Sequence, residues 1–284
     1  MNMFSPAEIT KNYVAIGKGK VNTPIPKMLL LAVMAGAFIA LGGVGATTAA
    51  VSIPMASVGK FVGACIFPGG LTMVLLAGSE LFTGNCMLTI PLLEKEITAG
   101  GMLKNWIVVY IGNMIGGLLV AAGMVYSNQF GLFGNGMAVS AMSAAAGKCT
   151  LSFTQAFIKG IFCNFLVCLA VWIAFAAKDV AGKIIGLFFP IMIFVLCGFE
   201  HSVANMYYIG AGLFAKNVPE YAKAAAEVNV NMDAITWKGF FGANLLPVTL
   251  GNIVGGALCV GCVYWFLFLR KNKQAEKLGG NKDE

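Results

Sequence analysis

Charge is what this chain has least of. Of its 284 residues, 11% are Asp, Glu, Lys or Arg and 58% are hydrophobic. Soluble domains carry roughly 25% charged residues, so the composition excludes a soluble protein and predicts an integral membrane one. Histidine occurs once, at His201, too few for bis-histidine haem ligation. No apolar run carries the arginine ladder of a voltage sensor. A Walker A loop is missing, and with it any sign of an ATP-binding domain, so any energy-requiring step would draw on a solute gradient or coupled protons. Residues 1–27 are polar, and the first apolar run is far longer than a signal h-region, so no cleavable signal is expected.

What is there are long charge-free runs. A span needs about 20 apolar residues. Such runs fall within 28–59, 61–93, 105–147, 160–177, 184–215 and 239–269. That predicts six spans with both termini on one side. The net charge of +7 could suggest nucleic acid, but its distribution reads as topology and no nucleic-acid partner is expected. The side bearing the termini holds 13 of the 19 basic residues, so both termini are expected to be cytoplasmic. The organisation expected is a cytoplasmic segment over 1–27, a channel domain over 28–269 and a cytoplasmic tail over 270–284.

The chain repeats itself. Gly78-Ser79-Glu80-Leu81-Phe82-Thr83-Gly84-Asn85 returns as Gly198-Phe199-Glu200-His201-Ser202-Val203-Ala204-Asn205, at an offset of 120. Gly112-Asn113-Met114-Ile115-Gly116-Gly117 returns as Gly251-Asn252-Ile253-Val254-Gly255-Gly256, at an offset of 139. Ala35-Gly36-Ala37-Phe38 weakly matches Lys159-Gly160-Ile161-Phe162. Repeat 1 therefore covers about 28–126 and repeat 2 about 153–269. Three spans per repeat is an odd number, so the second copy enters from the opposite side, an inverted 3+3 repeat. The added residues before the last span fall in a polar loop, roughly 216–238.

Spans two and five are longer than one crossing needs, and each has Gly and a Glu in its middle. Both read as broken helices whose unwound segments, near 80–85 and 200–205, meet close to the bilayer midplane. Such backbone is tolerated only inside protein or along a cavity, and half-helix N-termini favour anions. The glycines of the third and sixth spans read as close-packing surfaces.

An ionisable group at membrane depth is costly and marks function by default. His201 could protonate near neutral pH, attract a small anion and give it a proton, so that a neutral acid crosses the apolar part. Its plainer alternative is a neutral ring tying the break to a backbone carbonyl. Glu80 and Glu200, paired by symmetry around one histidine, read as braces that accept backbone N–H bonds. Thr83 could donate to an anion. Asn164 and Asn252 could line a pore or link two helices. Lys148 could steer anions into a vestibule or be an ordinary interfacial lysine. Leu71, Phe82, Val167 and Phe194 could form dry constrictions, or simply be core.

Most of the eight cysteines lie in spans and behave as small apolar residues. Cys259-Val260-Gly261-Cys262 is formally a C-x-x-C but sits in an apolar helix, without the context of a redox or metal motif. No metal or cofactor is expected, and no enzymatic activity.

Gly198-Phe199-Glu200-His201-Ser202-Val203-Ala204-Asn205-Met206, Ala170-Val171-Trp172, Lys104-Asn105-Trp106 and the run Leu246 to Gly256 together resemble the formate–nitrite transporter family, over about residues 5–270. The resemblance implies an all-α, aquaporin-like six-helix protomer in a prokaryotic cell membrane, a homopentamer, and one anion pathway per protomer. It implies His201 as central histidine, Thr83 as break threonine, Lys148 as vestibule lysine, and Asn164 and Asn252 as pore asparagines. Constrictions are implied near Leu71, Phe82 and Phe194. The first break, Glu80 followed by Thr83-Gly84-Asn85-Cys86, is more similar to the nitrite and hydrosulfide branches than to formate channels. The lysine-rich, arginine-poor composition resembles clostridial proteins. Hydrosulfide is therefore the anion expected first, with formate and nitrite behind it. A neutral-solute channel of the aquaporin type is the alternative, disfavoured by the absence of Asn-Pro-Ala turns. A membrane oxidoreductase subunit using Cys259 and Cys262 is a more distant one.

Overall fold

The computed structural model describes residues 3–270. All but Arg270 of the expected C-terminal tail, including Lys271, Lys273, Lys277 and Lys282, lies outside the described residues.

The first helix, α1 (Pro6–Asn22), opens on a capping box. The Ser5 hydroxyl accepts the Glu8 N–H, and the Glu8 carboxylate accepts the Ser5 N–H, which satisfies donors at a helix start that otherwise have no partner. The first half continues through α2 (Ile25–Ala50), α3 (Ala56–Leu76), α4 (Phe82–Leu93) and α5 (Ala99–Tyr126). The second half runs through α6 (Gly136–Cys149), α7 (Phe153–Ala176), α8 (Val180–Cys197), α9 (Ser202–Ala215), α10 (Pro219–Glu227) and α11 (Gly239–Arg270). Six of these, α2, α3, α5, α7, α8 and α11, are long and apolar enough to cross a membrane. The chain is a multi-pass, all-helical membrane protein.

Helix α2 lies against α5, and α7 against α11. Glycine makes both contacts possible. A Cβ on Gly116 would overlap the carbonyl oxygen of Val33, and one on Gly255 would overlap that of Ile161. Backbones this close need small residues at the crossing. Within α11 the turns widen to π geometry over Val254–Cys262, where Thr89 Oγ1 donates to the Ala257 carbonyl at 3.2 Å.

Three expectations change, and one gains detail. The segment 1–27 is largely helical: α1 lies on the bundle, burying Ile9, Tyr13, Gly17 and Val21. These recur every four residues, which places them along one helix face. The stretch between α5 and α7 holds α6, and the insertion before α11 holds α10. The unwound segments are shorter and earlier than expected, because Phe82 and Ser202 already begin helices. Finally, the register of the first spans is 128, not the 124 of the Gly36–Gly160 match. The Glu80 N–H donates to Leu31 O and the Glu200 N–H to Lys159 O. Asn113 Nδ2 donates to Ala32 O and Asn252 Nδ2 to Gly160 O. The match chosen from sequence was off by one helical turn, so Asn164, not Gly160, is the counterpart of Gly36.

Candidate functional site

Each break is held by the same frame of side chains. Gly78 and Gly198 turn the chain at φ +78° and +68°, a region that glycine reaches without the strain of a Cβ. Glu80 and Glu200 follow, both buried. Lys20 Nζ lies 2.9 Å from Glu80 Oε2, and Lys148 Nζ lies 3.0 Å from Glu200 Oε1. Asn85 Nδ2 donates to Glu80 at 2.7 Å and to Asn105 Oδ1 at 2.9 Å. In the second half Asn205 Nδ2 donates to Glu200 at 2.6 Å and to Asn244 Oδ1 at 2.8 Å. Asn113 Oδ1 accepts the Phe82 N–H and Asn252 Oδ1 the Ser202 N–H, each at 2.9 Å. A buried charge is tolerated when paired and hydrogen-bonded, and each carboxylate here has both.

The frame revises several expectations. The Glu80 and Glu200 carboxylates are bound by lysine and asparagine side chains, not by the backbone N–H groups expected. Lys148 is bound to Glu200 rather than standing free. Asn252 spends its amide on the Ser202 N–H and on the Gly160 and Glu200 carbonyls, so it holds the break rather than facing a pathway. Asn164 Nδ2 donates to Thr83 O and Asn252 O, linking α4, α7 and α11. Lys20, Asn85, Asn105, Asn113, Asn205 and Asn244 were not singled out from sequence. The 120 and 139 offsets already paired the asparagines; Lys20 was hidden by the wrong register.

Two cavities flank the breaks and share no lining residue. One, of ≈ 180 Å³, is lined by Phe67, Lys148, Phe194, Glu200, His201 and Tyr208, among others. The other, of ≈ 30 Å³, is lined by Tyr13, Lys20, Leu71, Val74, Leu81 and Val171, among others. They are counterparts: Lys148 answers to Lys20, and His201 to Leu81. Leu71 and Phe194 therefore stand on cavity walls. The Phe82 ring instead lies edge-on to Tyr110 and Trp106, at centroid distances of 4.9 and 6.1 Å. Val167 is buried in the core and lines neither cavity.

Thr83 and His201 meet where α4 and α9 begin. Thr83 Oγ1 lies 2.9 Å from His201 Nε2, and His201 Nδ1 accepts the Ala204 N–H at 3.2 Å. Because Nδ1 accepts, a neutral ring carries its proton on Nε2. Nε2 then donates to the Thr83 hydroxyl, whose own hydrogen is left to point elsewhere. The expected tie to a backbone carbonyl is thus a tie to a backbone N–H. Proton transfer from Nε2 would need Nδ1 to take up a proton, and the Ala204 N–H faces that nitrogen. The imidazolium state requires the ring to leave its cap.

Cys259 and Cys262 are half-buried free thiols on α11. Among the described residues, no group of three His, Cys, Asp or Glu side chains could hold a metal ion.

Comparison with known proteins places this geometry. The family model described as formate/nitrite transporter matches residues 7–266. The chain belongs to the formate/nitrite transporter family. It is 41% identical to a "Probable formate transporter" of Methanothermobacter thermautotrophicus, over 94% of this chain and 98% of that protein. It is 34% identical to the "Formate channel FocA" of Escherichia coli (strain K12), over 95% and 96%. A solved "Pentameric formate channel with formate bound" superposes with a TM-score of 0.78 at 35% identity, covering 87% of this chain and 98% of that one. An "FNT family ion channel" gives 0.76 at 32%, covering 92% and 98%. The family and these neighbours are transporters and channels, not enzymes.

Proposed function

We propose that the protein passes small monovalent weak-acid anions through each protomer of a homopentamer, in a prokaryotic cell membrane, with both termini cytoplasmic. The observation that carries this reading is the Thr83–His201 contact at the breaks that two cavities flank, one lined by His201 and the other by Leu81. His201 Nε2 orients the Thr83 hydroxyl, and that hydroxyl donates to the anion as it crosses. Leu71 and Phe194 form the dry constrictions on either side, since apolar rings block hydrated ions. A weak acid lowers the cost of this step when a proton taken from water at the cavity mouth lets it cross as its neutral form. Lys20–Glu80 and Lys148–Glu200 hold the breaks open. The pentamer is supported by the pentameric neighbour.

Two anions are favoured by different observations. The names of relatives favour formate. The first break, with Glu80 and Thr83-Gly84-Asn85-Cys86, favours hydrosulfide, whose acid H₂S is small and membrane-permeable. A flux panel of formate, nitrite, acetate and HS⁻ in proteoliposomes across pH 5–8 tests both. Passage of formate or HS⁻ with exclusion of glycerol is expected. Glycerol passage without anion flux would instead support a neutral-solute channel.

A further inference from the structure

Lys60 reaches the mouth of the His201 cavity. Gly198 lines that cavity, and a Cβ placed on it would stand 3.2 Å from Lys60 Nζ and 3.9 Å from Lys60 Cε. Glycine at 198 thus serves its positive φ and also leaves room for an ammonium group. Lys60 lines a second, open depression of ≈ 380 Å³ as well, walled by Ala50, Val51, Gly136 and Ser140. It therefore borders both the open depression and the inner cavity.

The charges at this mouth are unequal in kind. Lys148, inside the cavity, is bound to Glu200, so its field at a distance is largely cancelled. Lys60 is exposed. Among the described residues, no carboxylate lies within 4.0 Å of its ammonium. The other break has no equivalent: around Gly78, nothing lies within 4 Å of the same construction. Lys60 stands beside Gly198, and among the described residues no side chain stands in the same way beside Gly78.

We propose that Lys60 is an anion-capture residue, binding the small monovalent anion in the outer depression and delivering it to the His201 cavity. The inference rests on the anion-channel reading and extends it to a residue outside the two breaks. A single exposed cation raises the local concentration of anions at a cleft, and its effect is screened by salt over about 8–10 Å at ordinary ionic strength. Lys60 therefore acts on capture, not on the crossing between the breaks.

The test uses the full chain in right-side-out membrane vesicles, with formate, nitrite and HS⁻ as probes, and compares wild type with Lys60→Met, Lys60→Gln and Lys60→Arg. Initial uptake is measured against anion concentration at low and high ionic strength. In Lys60→Met and Lys60→Gln the half-saturating concentration rises roughly two- to fivefold, the maximal rate holds, and the salt dependence flattens. Lys60→Arg keeps the wild-type behaviour. Unchanged half-saturation and salt dependence in both neutral variants overturns the proposal. So does a fall in maximal rate alone, which is what a purely structural role gives. A wild type that passes none of the three anions overturns the channel reading itself, and this inference with it.

Discussion

Lys148 Nζ lies 3.0 Å from Glu200 Oε1 and 3.2 Å from Oε2. Neither side chain is more than one-fifth exposed. Removing one partner leaves the other as an uncompensated charge in poorly hydrated surroundings. Lys148→Met is therefore destabilising, by somewhat less than the ~3–5 kcal/mol typical of a fully buried pair. The Lys148→Met/Glu200→Gln double variant recovers part of the loss. Thermal unfolding of the four proteins in detergent gives the coupling as a double-mutant cycle. Strict additivity of the two single losses would mean that the pair does not act as a unit.

Asn252 carries a second prediction. Its amide accepts from Ser202 and donates to two carbonyls. Asn252→Ala orphans buried backbone groups, each costing about 1–3 kcal/mol. Asn252→Asp keeps the shape and the acceptor, but turns a carboxylate oxygen toward the Gly160 and Glu200 carbonyls. Asn252→Asp is expected to be no more stable than Asn252→Ala. A near-wild-type melting temperature for the aspartate variant would refute the assigned bonds.

Glycine substitutions should divide by place. Gly116→Ala and Gly255→Ala drive a methyl into a neighbouring backbone carbonyl. They cost at least the roughly 1–3 kcal/mol of an overfilled core. Gly100→Ala and Gly123→Ala meet nothing within 4 Å and lie within α5, where Ala is favoured over Gly by roughly 0.5–1 kcal/mol. Melting temperatures therefore fall for the first pair and hold or rise for the second.

The spans, the two breaks and the inverted repeat were legible in the sequence because apolar length, Gly–Glu–Asn phrases and charge distribution are local signals. The frames were half legible: Glu80, Glu200 and Asn252 stood out, while the other asparagines appeared only as repeated letters and their partners depend on register. Lys20 pairs with Glu80 only once α1 is laid on the bundle, and α1 reads as polar until its four-residue stripe is traced. Asn252 reads equally as pore or brace, since an amide in an apolar run fits either. Phe82 is indistinguishable from Leu71 and Phe194 by residue type. What separates it is which way its ring turns, toward Tyr110 and Trp106.

The central claim is that a two-fold frame carries one asymmetric functional side chain, with His201 standing where the repeat has Leu81. Anion flux through His201→Leu tests it most directly. The substitution completes the repeat's symmetry, removes the Nε2 donor from Thr83, and gives up only the cap to Ala204, which Leu81 shows the frame can do without. The variant is expected to fold and assemble as the wild type does. In proteoliposomes across pH 5–8, formate and HS⁻ flux should fall at least tenfold at each pH, about 1.4 kcal/mol on the barrier. Wild-type flux in a properly folded His201→Leu protein would contradict the account.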